Sequence, residues 1–283
     1  MSYKNLLSLN DLTDTEINQL LDVASEMRRV VLSRVKRGPQ LLGKVLAIAG
    51  NYDDLSRNCL SLACGYLSGL TADFFKTPCY DDILNIKAAG VDYIVIEPEQ
   101  TEIARLARDE EGVVTYGGKY SGALAALAIL FTIKQRLETI KSVDVSLLGN
   151  LQKGYKCAED LNDILLRFES RASVCGYDKN IANYFKEKSI RVYSDINMVT
   201  HGADFIIDFG GREEENIYFY GDSMGLTQET IKLAQPNAPL LFKNRIFSKE
   251  KGCFVTYPFS ATADYYTNLT AVTMAVLYLL KRN

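Results

Sequence analysis

Short apolar runs alternate along this chain with longer segments of helical periodicity, and this alternation is the feature that most constrains the fold. The apolar run at residues 44–49 is typical of a buried parallel strand, and residues 91–96 give the clearest strand signal in the first half of the chain. Strands and helices that alternate in this way form βαβ units on a parallel sheet. The sequence therefore predicts an α/β fold.

The predicted elements continue to the end of the chain. Strands are predicted at residues 44–49, 71–75, 91–96, 113–116, 143–148, 173–177, 191–193, 204–208 and 239–242. Helices are predicted at residues 56–67, 81–89, 102–109, 121–137, 156–169, 180–188, 227–234 and 262–280. A further helix is expected to begin near Thr13, because Thr13 and Glu16 have the S/T-x-x-E spacing of a capping box.

Two domains are expected from the length of 283 residues and from the position of one helix. The helix at residues 121–137 is long and rich in Ala and Leu, which suits a connector between domains, and the alternation restarts after it. We therefore expect two doubly wound parallel-sheet domains joined by a crossover helix, with the C-terminal helix returning to the first domain. The expected boundaries are residues 1–136 with 262–283 for the first domain and 137–261 for the second.

Composition and charge restrict the possible functions. The net charge of −3 gives no general affinity for nucleic acid or for an anionic membrane. The chain has no run of about 18 apolar residues and no apolar signal-peptide region at its start, so we expect a cytoplasmic protein. Its six cysteines include no C-x-x-C pair and it has one histidine, so we expect reduced buried thiols, no metal site and no cofactor.

Six segments, in order and at matching spacing, resemble segments of the aspartate/ornithine carbamoyltransferase family. They are residues 6–13, 82–96, 126–133, 192–195 with 202–204, 220–236 and 268–280. The second of them contains G-V-D-Y-I-V-I, where the family has G-V-D-x-I-V-V. The resemblance covers essentially the whole chain. It implies a carbamoyl-phosphate domain, then an amino-acid domain, and a trimer whose active sites are shared between subunits.

The turn that corresponds to the family's phosphate loop departs from the family pattern. Members of the family read S-T-R-T-R at this turn from a strand to a helix, where N–H groups and arginines hold the carbamoyl phosphate dianion. Here the turn reads Asp53-Asp54-Leu55-Ser56-Arg57, and only Ser56 and Arg57 match. Because carboxylates repel a phosphate, the comparison implies a degenerate site.

Two further positions of the family's site also differ. The arginine that follows the G-V-D-x-I-V-V strand falls on Glu97, and the H-P-T-Q motif of the crossover helix falls on residues 122–125, which read Gly-Ala-Leu-Ala. A hydrogen bond to a charged group contributes about 1.5–3 kcal/mol, so the loss of three such donors removes roughly 5–9 kcal/mol. A micromolar ligand is held by about 8 kcal/mol. We therefore expect little specific affinity for carbamoyl phosphate.

Several side chains remain candidates for binding a ligand. They are Asp53, Asp54, Ser56, Arg57, Glu97, Lys119, Arg212, Lys243 and Arg245. Asp53 and Asp54 either bind a cation or an amine, or cap the helix that starts near Ser56. Lys119 either brings a cation near the cleft or is a solvated lysine in a turn.

The candidates of the second half carry their own alternatives. Arg212 is a remnant of the family's arginine-bearing loop. Lys243 and Arg245 follow a predicted strand, where α/β sheets bind ligands, but a solvated loop explains them equally well.

Two functions from different classes remain open. The first is a catalytically degenerate carbamoyltransferase-family protein that acts as a structural, regulatory or small-ligand-binding subunit. The second is an active transferase with altered substrates, which transfers a carbamoyl-like group to the amine of an amino acid. In either case the expected partners are a small molecule of unknown identity and other subunits, as a homotrimer or as a hetero-oligomer with a homologous chain.

Overall fold

The chain forms two compact units. The computed structural model describes residues 4–74, 78–97, 110–149, 151–175, 179–210, 212–214, 217–220 and 223–280, without the side chains of 152–155, 179–181, 212–214, 217–220 and 223–224. The helix predicted at residues 102–109 lies outside these residues. The first unit comprises Met1–Phe131 and Tyr266–Asn283, and the second comprises Thr132–Tyr265.

The first unit is built on a four-stranded parallel sheet. Its strands are β1 (Val45–Ala49), β2 (Leu70–Phe74), β3 (Tyr93–Ile96) and β4 (Val113–Thr115), in the order β2-β1-β3-β4. Its helices are α1 (Asp14–Leu32), α2 (Asp54–Tyr66) and α3 (Tyr80–Ala88), and the chain leaves the unit along α4 (Ala123–Leu137). Every residue of β3 and β4 is buried, and β3 is an inner strand that reads as a continuous apolar run.

The second unit contains a five-stranded parallel sheet. Its strands are β5 (Asp144–Leu148), β6 (Arg171–Cys175), β7 (Arg191–Tyr193), β8 (Phe205–Asp208) and β12 (Leu240–Leu241), in the order β12-β8-β5-β6-β7. Its helices are α5 (Leu151–Arg167), α6 (Lys179–Glu187), α7 (Ile196–Thr200) and α8 (Gln228–Ile231). The last helix, α9 (Thr262–Leu280), crosses from this unit into the first.

Sheet topology confirms the predicted α/β class with two doubly wound parallel sheets. In each sheet the strand order reverses direction once, between β1 and β3 in the first unit and between β5 and β8 in the second. In doubly wound sheets, ligands bind in the crevice outside the carboxyl ends of the strands at such a reversal. The two reversals are therefore the positions in the fold where a site is expected.

Local signals explain how the first unit is assembled. The capping box predicted for α1 is present: the Thr13 hydroxyl accepts from the N–H of Glu16, and the Glu16 carboxylate accepts from the N–H of Thr13. The C-terminal helix packs on the first unit, where the Arg28 guanidinium donates to the Asn268 side-chain oxygen at 2.9 Å. The predicted return of this helix to the first unit is thus confirmed.

Some elements of the second unit were not predicted. An antiparallel sheet is formed by β9 (Arg212–Glu214), β10 (Ile217–Tyr220) and β11 (Ser223–Met224), and a hairpin by β13 (Arg245–Ser248) and β14 (Cys253–Thr256). Helix α8 ends at Ile231, before the predicted end at residue 234. Pro236 disfavours helical backbone in the residue before it, and Asn237 adopts φ +65°, so the chain turns here. Among the described residues, no helix has the length and apolar character needed to cross a membrane.

Candidate functional site

A cleft of about 570 Å³ opens at the carboxyl ends of β1, β3 and β4, at the reversal point of the first sheet. Its lining residues come from four segments of the first unit. They are Asn51, Tyr52, Asp53 and Ser56 after β1, Glu97 after β3, Gly117, Gly118, Lys119, Tyr120 and Ser121 after β4, and Tyr266 of α9. Of the predicted candidates, Asp53, Ser56, Glu97 and Lys119 therefore lie around one cleft.

The turn from β1 to α2 is organised by Asp53. This residue is the N-cap of α2, and its two carboxylate oxygens accept from the backbone N–H of Ser56 at 2.9 Å and from the Ser56 hydroxyl at 2.7 Å. The capping role predicted for Asp53 is thus confirmed. Asp54 is exposed in the first turn of the helix, where a negative charge is favourable, and is not among the residues that line the cleft.

A buried hydrogen-bond chain supports this cap from behind. The Tyr116 hydroxyl donates to the Ser56 hydroxyl oxygen at 2.9 Å, and both residues are almost completely buried. The Tyr116 ring packs against that of Tyr52, with centroids 5.5 Å apart. Because Ser56 accepts from Tyr116 and donates to Asp53, the Asp53 side chain is held in one orientation at the floor of the cleft.

Glu97 joins the loops that follow β1 and β3. One of its carboxylate oxygens accepts from the backbone N–H of Asn51 at 2.6 Å. The loops approach so closely that a Cβ added at Gly50 would stand 2.9 Å from that oxygen. Burial raises the pKa of the Tyr52 hydroxyl well above its ordinary value, and the negative charge of Glu97 raises it further. Tyr52 is therefore a neutral hydrogen-bonding group at any physiological pH.

Arg57 is engaged by the turn itself. Its guanidinium donates to the Asp73 carboxylate of β2 and to the Gly50 carbonyl oxygen, both at 2.7 Å. The side chain is only 11% exposed, and the guanidinium carbon lies 5.7 Å from the Tyr52 ring centroid. Arg57 is not among the residues that line the cleft. The arginine that matched the family's loop thus ties β1 to β2.

The turn between β4 and α4 forms another wall. The N–H of Gly117 donates to the Ser121 carbonyl oxygen at 2.7 Å, which closes the turn, and the Lys119 ammonium lies 5.1 Å from the Tyr120 ring centroid. Gly122 has φ +96°, and a Cβ added to it would stand 2.7 Å from the Tyr116 Cα. Only glycine fits this position without a shift of the backbone.

Tyrosines of the cleft were missed by the sequence analysis. Tyr266 lies on α9, more than 200 positions beyond Asp53 in the chain, and no local motif marks it. Burial raises the pKa of Tyr266, and the charge of Asp53 contributes to the same shift, followed by Cys59 and Tyr120. Tyr266 is therefore within electrostatic reach of the Asp53 carboxylate.

The remaining candidates lie in the second unit. Arg212 begins strand β9 and pairs with Phe219 of β10; its side chain is outside the described part of the chain. Arg245 begins β13, and its guanidinium donates to the Phe254 carbonyl oxygen at 2.9 Å across the hairpin. Lys243 precedes that hairpin, and its carbonyl oxygen accepts from the Ser260 hydroxyl at 2.8 Å.

The donor set of the described residues contains no cluster of three or more histidine, cysteine or acidic side chains that could hold a metal ion. The cleft instead combines two carboxylates, one ammonium group, two serine hydroxyls and several tyrosines. These groups can bind a polar ligand and exchange protons with it.

The chain is similar over nearly its full length to known carbamoyltransferases. The chain is 27% identical to the aspartate carbamoyltransferase catalytic subunit of Carboxydothermus hydrogenoformans, across 98% of this chain and 96% of that protein. It is 26% identical to the same subunit of Acetivibrio thermocellus, across 99% and 96%. These full-length similarities support the assignment of the chain to the aspartate/ornithine carbamoyltransferase family. No model of a protein family matches it.

Solved structures of this carbamoyltransferase family share the fold over nearly the full length. Ornithine carbamoyltransferase from Thermus thermophilus superimposes with a TM-score of 0.76 at 21% identity, across 99% of both chains. Aspartate transcarbamoylase from Trypanosoma cruzi, in complex with phosphate, superimposes with a TM-score of 0.74 at 16% identity, across 97% of this chain and 94% of that one. The fold of the family is therefore kept here from end to end.

Proposed function

We propose that this carbamoyltransferase-family protein does not bind carbamoyl phosphate in the conventional way and acts as a small-ligand-binding, structural or regulatory subunit. The proposal rests on the hydrogen bonds that Arg57 makes. Its guanidinium satisfies Asp73 and the Gly50 carbonyl and lies outside the lining of the cleft. The single arginine that this turn shares with the family's loop thus binds groups of the fold and does not line the cleft.

Charge supports the same conclusion. The lining of the cleft contains the carboxylates of Asp53 and Glu97 and the ammonium of Lys119. The N-terminus of α2 adds about half a positive charge, which the Asp53 cap offsets. A phosphate dianion placed here meets more negative than positive charge, whereas phosphate sites place arginines and N–H donors around the anion.

The backbone at Gly122 supports it independently. The family's H-P-T-Q motif begins at this position, and a Cβ there would stand 2.7 Å from Tyr116 Cα and 2.8 Å from the Thr115 carbonyl oxygen. A histidine cannot be introduced by substitution alone, because the turn must move first. The turn as it stands here therefore has no room for the histidine of the family's motif.

An active transferase with altered substrates is the second candidate. It is favoured by the cleft itself, which retains a polar lining at the reversal point of the first sheet, and by full-length similarity to proteins named catalytic subunits. In this version the cleft holds a different carbamoyl-like donor, and the second unit supplies the amino-acid site.

Assembly and location belong to the same proposal. We infer a homotrimer, or a hetero-oligomer with a homologous chain, in the cytoplasm. The first unit would carry the carbamoyl-phosphate-type domain, residues 1–136 with 262–283, and the second the amino-acid-type domain, residues 137–261. Light scattering of the purified protein, alone and mixed with a catalytic homologue, distinguishes the two assemblies.

A transferase assay tests the function. The full chain is incubated with carbamoyl phosphate and aspartate, or with carbamoyl phosphate and ornithine, and the carbamoylated amino acid is quantified. The Carboxydothermus hydrogenoformans subunit, assayed in parallel, is the positive control. We expect no product above the rate without enzyme. Turnover within about a hundredfold of the control, a difference of about 2.7 kcal/mol in barrier, would overturn the proposal.

A further inference from the structure

We propose that the cleft of the first unit binds a small organic cation, carried by a primary ammonium or guanidinium group, with Asp53 and Glu97 as its anionic partners. This inference rests on the proposed function, because a cleft that does not take carbamoyl phosphate is open to another ligand. It adds the chemical class of that ligand.

Asp53 presents unused acceptor capacity to the cleft. Its carboxylate accepts two hydrogen bonds from Ser56, while an ionised carboxylate offers about four acceptor positions. The residue is exposed and lines the cleft, although the serine below it is buried. The cap therefore fixes the orientation of the carboxylate and leaves acceptor positions for a ligand. A cation in the cleft meets a preorganised partner, which loses no rotamer freedom on binding.

Aromatic rings form much of the remaining wall. Tyr52, Tyr120 and Tyr266 line the cleft with Asp53. Two of these rings already face cations of the chain, since the Arg57 guanidinium carbon lies 5.7 Å from the Tyr52 centroid and the Lys119 ammonium 5.1 Å from the Tyr120 centroid. Rings attract cations through the negative potential of their faces, and a desolvated cation gains most. The cleft thus combines tyrosine rings with two carboxylates against the single ammonium of Lys119, which favours an organic cation over a hydrated metal ion.

The dimensions of the cleft limit the ligand. Its volume of about 570 Å³ lies within the range of small-molecule sites, about 300–1,000 Å³. The tyrosine rings offer apolar surface next to the carboxylates, so the cation should be carried on a short aliphatic or planar body. A phosphate dianion lacks that apolar part and has the wrong sign for Asp53 and Glu97.

Calorimetric titration of the full chain with matched probes tests this. The cations are butylammonium and butylguanidinium; the anions are butyrate and inorganic phosphate, and butyrate has nearly the same apolar part. We expect the cations to bind with a dissociation constant of about 1 mM or below and the anions to bind at least about tenfold more weakly. Absence of cation binding, or equal binding of butyrate, would overturn the inference.

Variants locate the binding. Asp53→Asn removes the charge but keeps a side chain that caps helices as well as Asp does. We expect it to weaken cation binding about tenfold, whereas Asp81→Asn removes an equal charge from the exposed first turn of α3 and should leave binding unchanged. Glu97→Gln keeps an acceptor for the Asn51 N–H and should also weaken binding. Equal affinity of the Asp53, Glu97 and Asp81 variants would contradict the assignment.

A titration with carbamoyl phosphate beside these probes separates this inference from the function on which it rests. Micromolar binding of carbamoyl phosphate would overturn the proposed function and the inference together. If neither carbamoyl phosphate nor the cations bind, the cation site alone is overturned. Thermal melting of each variant in parallel shows whether it is folded under the titration conditions.

Discussion

Ser56 binds Asp53 twice, through its backbone N–H at 2.9 Å and through its hydroxyl at 2.7 Å. From the sequence alone, Asp53 is either a helix cap or a ligand-binding carboxylate. The geometry makes the two roles compatible, because capping uses the oxygens from the helix side while the residue also lines the cleft. A single residue thus starts α2 and sets the charge of the cleft.

The first prediction concerns this cap. Asp53→Ala should lower the free energy of unfolding by about 0.5–2 kcal/mol, because the N–H and the hydroxyl of buried Ser56 lose their acceptor. Asp53→Asn should cost less, about 0.5–1.5 kcal/mol, because the Asn oxygen still accepts from the Ser56 N–H whereas its NH2 group cannot accept from the Ser56 hydroxyl. Urea unfolding measures both. The same loss in Asp54→Ala, which removes an exposed first-turn carboxylate, would show that the cap is not the cause.

The second prediction concerns Arg57. Arg57→Met should destabilise the protein by about 1.5–3 kcal/mol, because a charged donor is removed from the partly buried Asp73 and from the Gly50 carbonyl. The exposed pair of Arg29 with Glu26 is the control, and Arg29→Met should change stability by about 0.5 kcal/mol or less. Denaturant unfolding compares them. Loss of ligand binding in Arg57→Met without loss of stability would instead assign Arg57 to the cleft.

The third prediction concerns the glycine before α4. Gly122→Ala should cost more than about 1 kcal/mol, because alanine at φ +96° is strained and its Cβ meets the backbone of Tyr116. Gly118→Ala separates the two causes: it also has positive φ, +66°, but nothing lies within 4 Å of its Cβ. We expect Gly118→Ala to be the milder change in thermal unfolding. Equal costs would show that the contact with Tyr116 contributes nothing.

The fourth prediction concerns pH. Burial raises the pKa of Asp160 in α5 to about 6, with Glu159 and Asp163 adding to the shift and Lys156 opposing it. Between pH of about 4 and 6 the folded state retains a proton that the unfolded state has lost, so the contribution of Asp160 to stability falls as pH rises. Above this window the penalty is constant.

Asp160→Asn removes that penalty. The variant should be more stable than the parent at pH 7 by at most about 3 kcal/mol, the equivalent of a two-unit shift, and the difference should vanish near pH 4. Urea midpoints across this range measure it. A stability difference between variant and parent that is the same at pH 4 and pH 7 would show that folding does not raise the pKa of Asp160.

Much of the fold could be predicted because its signals are local. The capping box at Thr13 and Glu16 and the apolar runs of β1 and β3 act over a few residues, and both were found in the sequence. The hairpin of β13 and β14 was missed, because the intervening Lys-Glu-Lys-Gly lacks the two-residue turn signals that usually mark hairpins. Helix α8 ends at Ile231, earlier than its apolar pattern predicted, because the chain turns at Pro236 and Asn237.

Less of the candidate site than of the fold could be predicted from the sequence. Asp53 follows β1 and Glu97 follows β3. These two strands pair with each other in the parallel sheet, so the proximity of the two residues could be predicted. Tyr266 comes from α9 and has no local signal, since only the return of that helix to the first unit brings it to the cleft. Side-chain direction was equally hidden: Arg57 stands one position after Ser56, yet its guanidinium binds Asp73 of β2.

Calorimetric titration of the unmodified protein with carbamoyl phosphate, alone and then with aspartate or ornithine, tests the central claim most directly. We predict no binding heat up to about 1 mM ligand, which corresponds to less than about 4 kcal/mol of affinity. The reasons are that Arg57 is held by Asp73 and the Gly50 carbonyl, that Asp53 and Glu97 line the cleft, and that the turn at Gly122 has no room for a side chain. Saturable binding at micromolar concentration would contradict the account and return the chain to the active carbamoyltransferases.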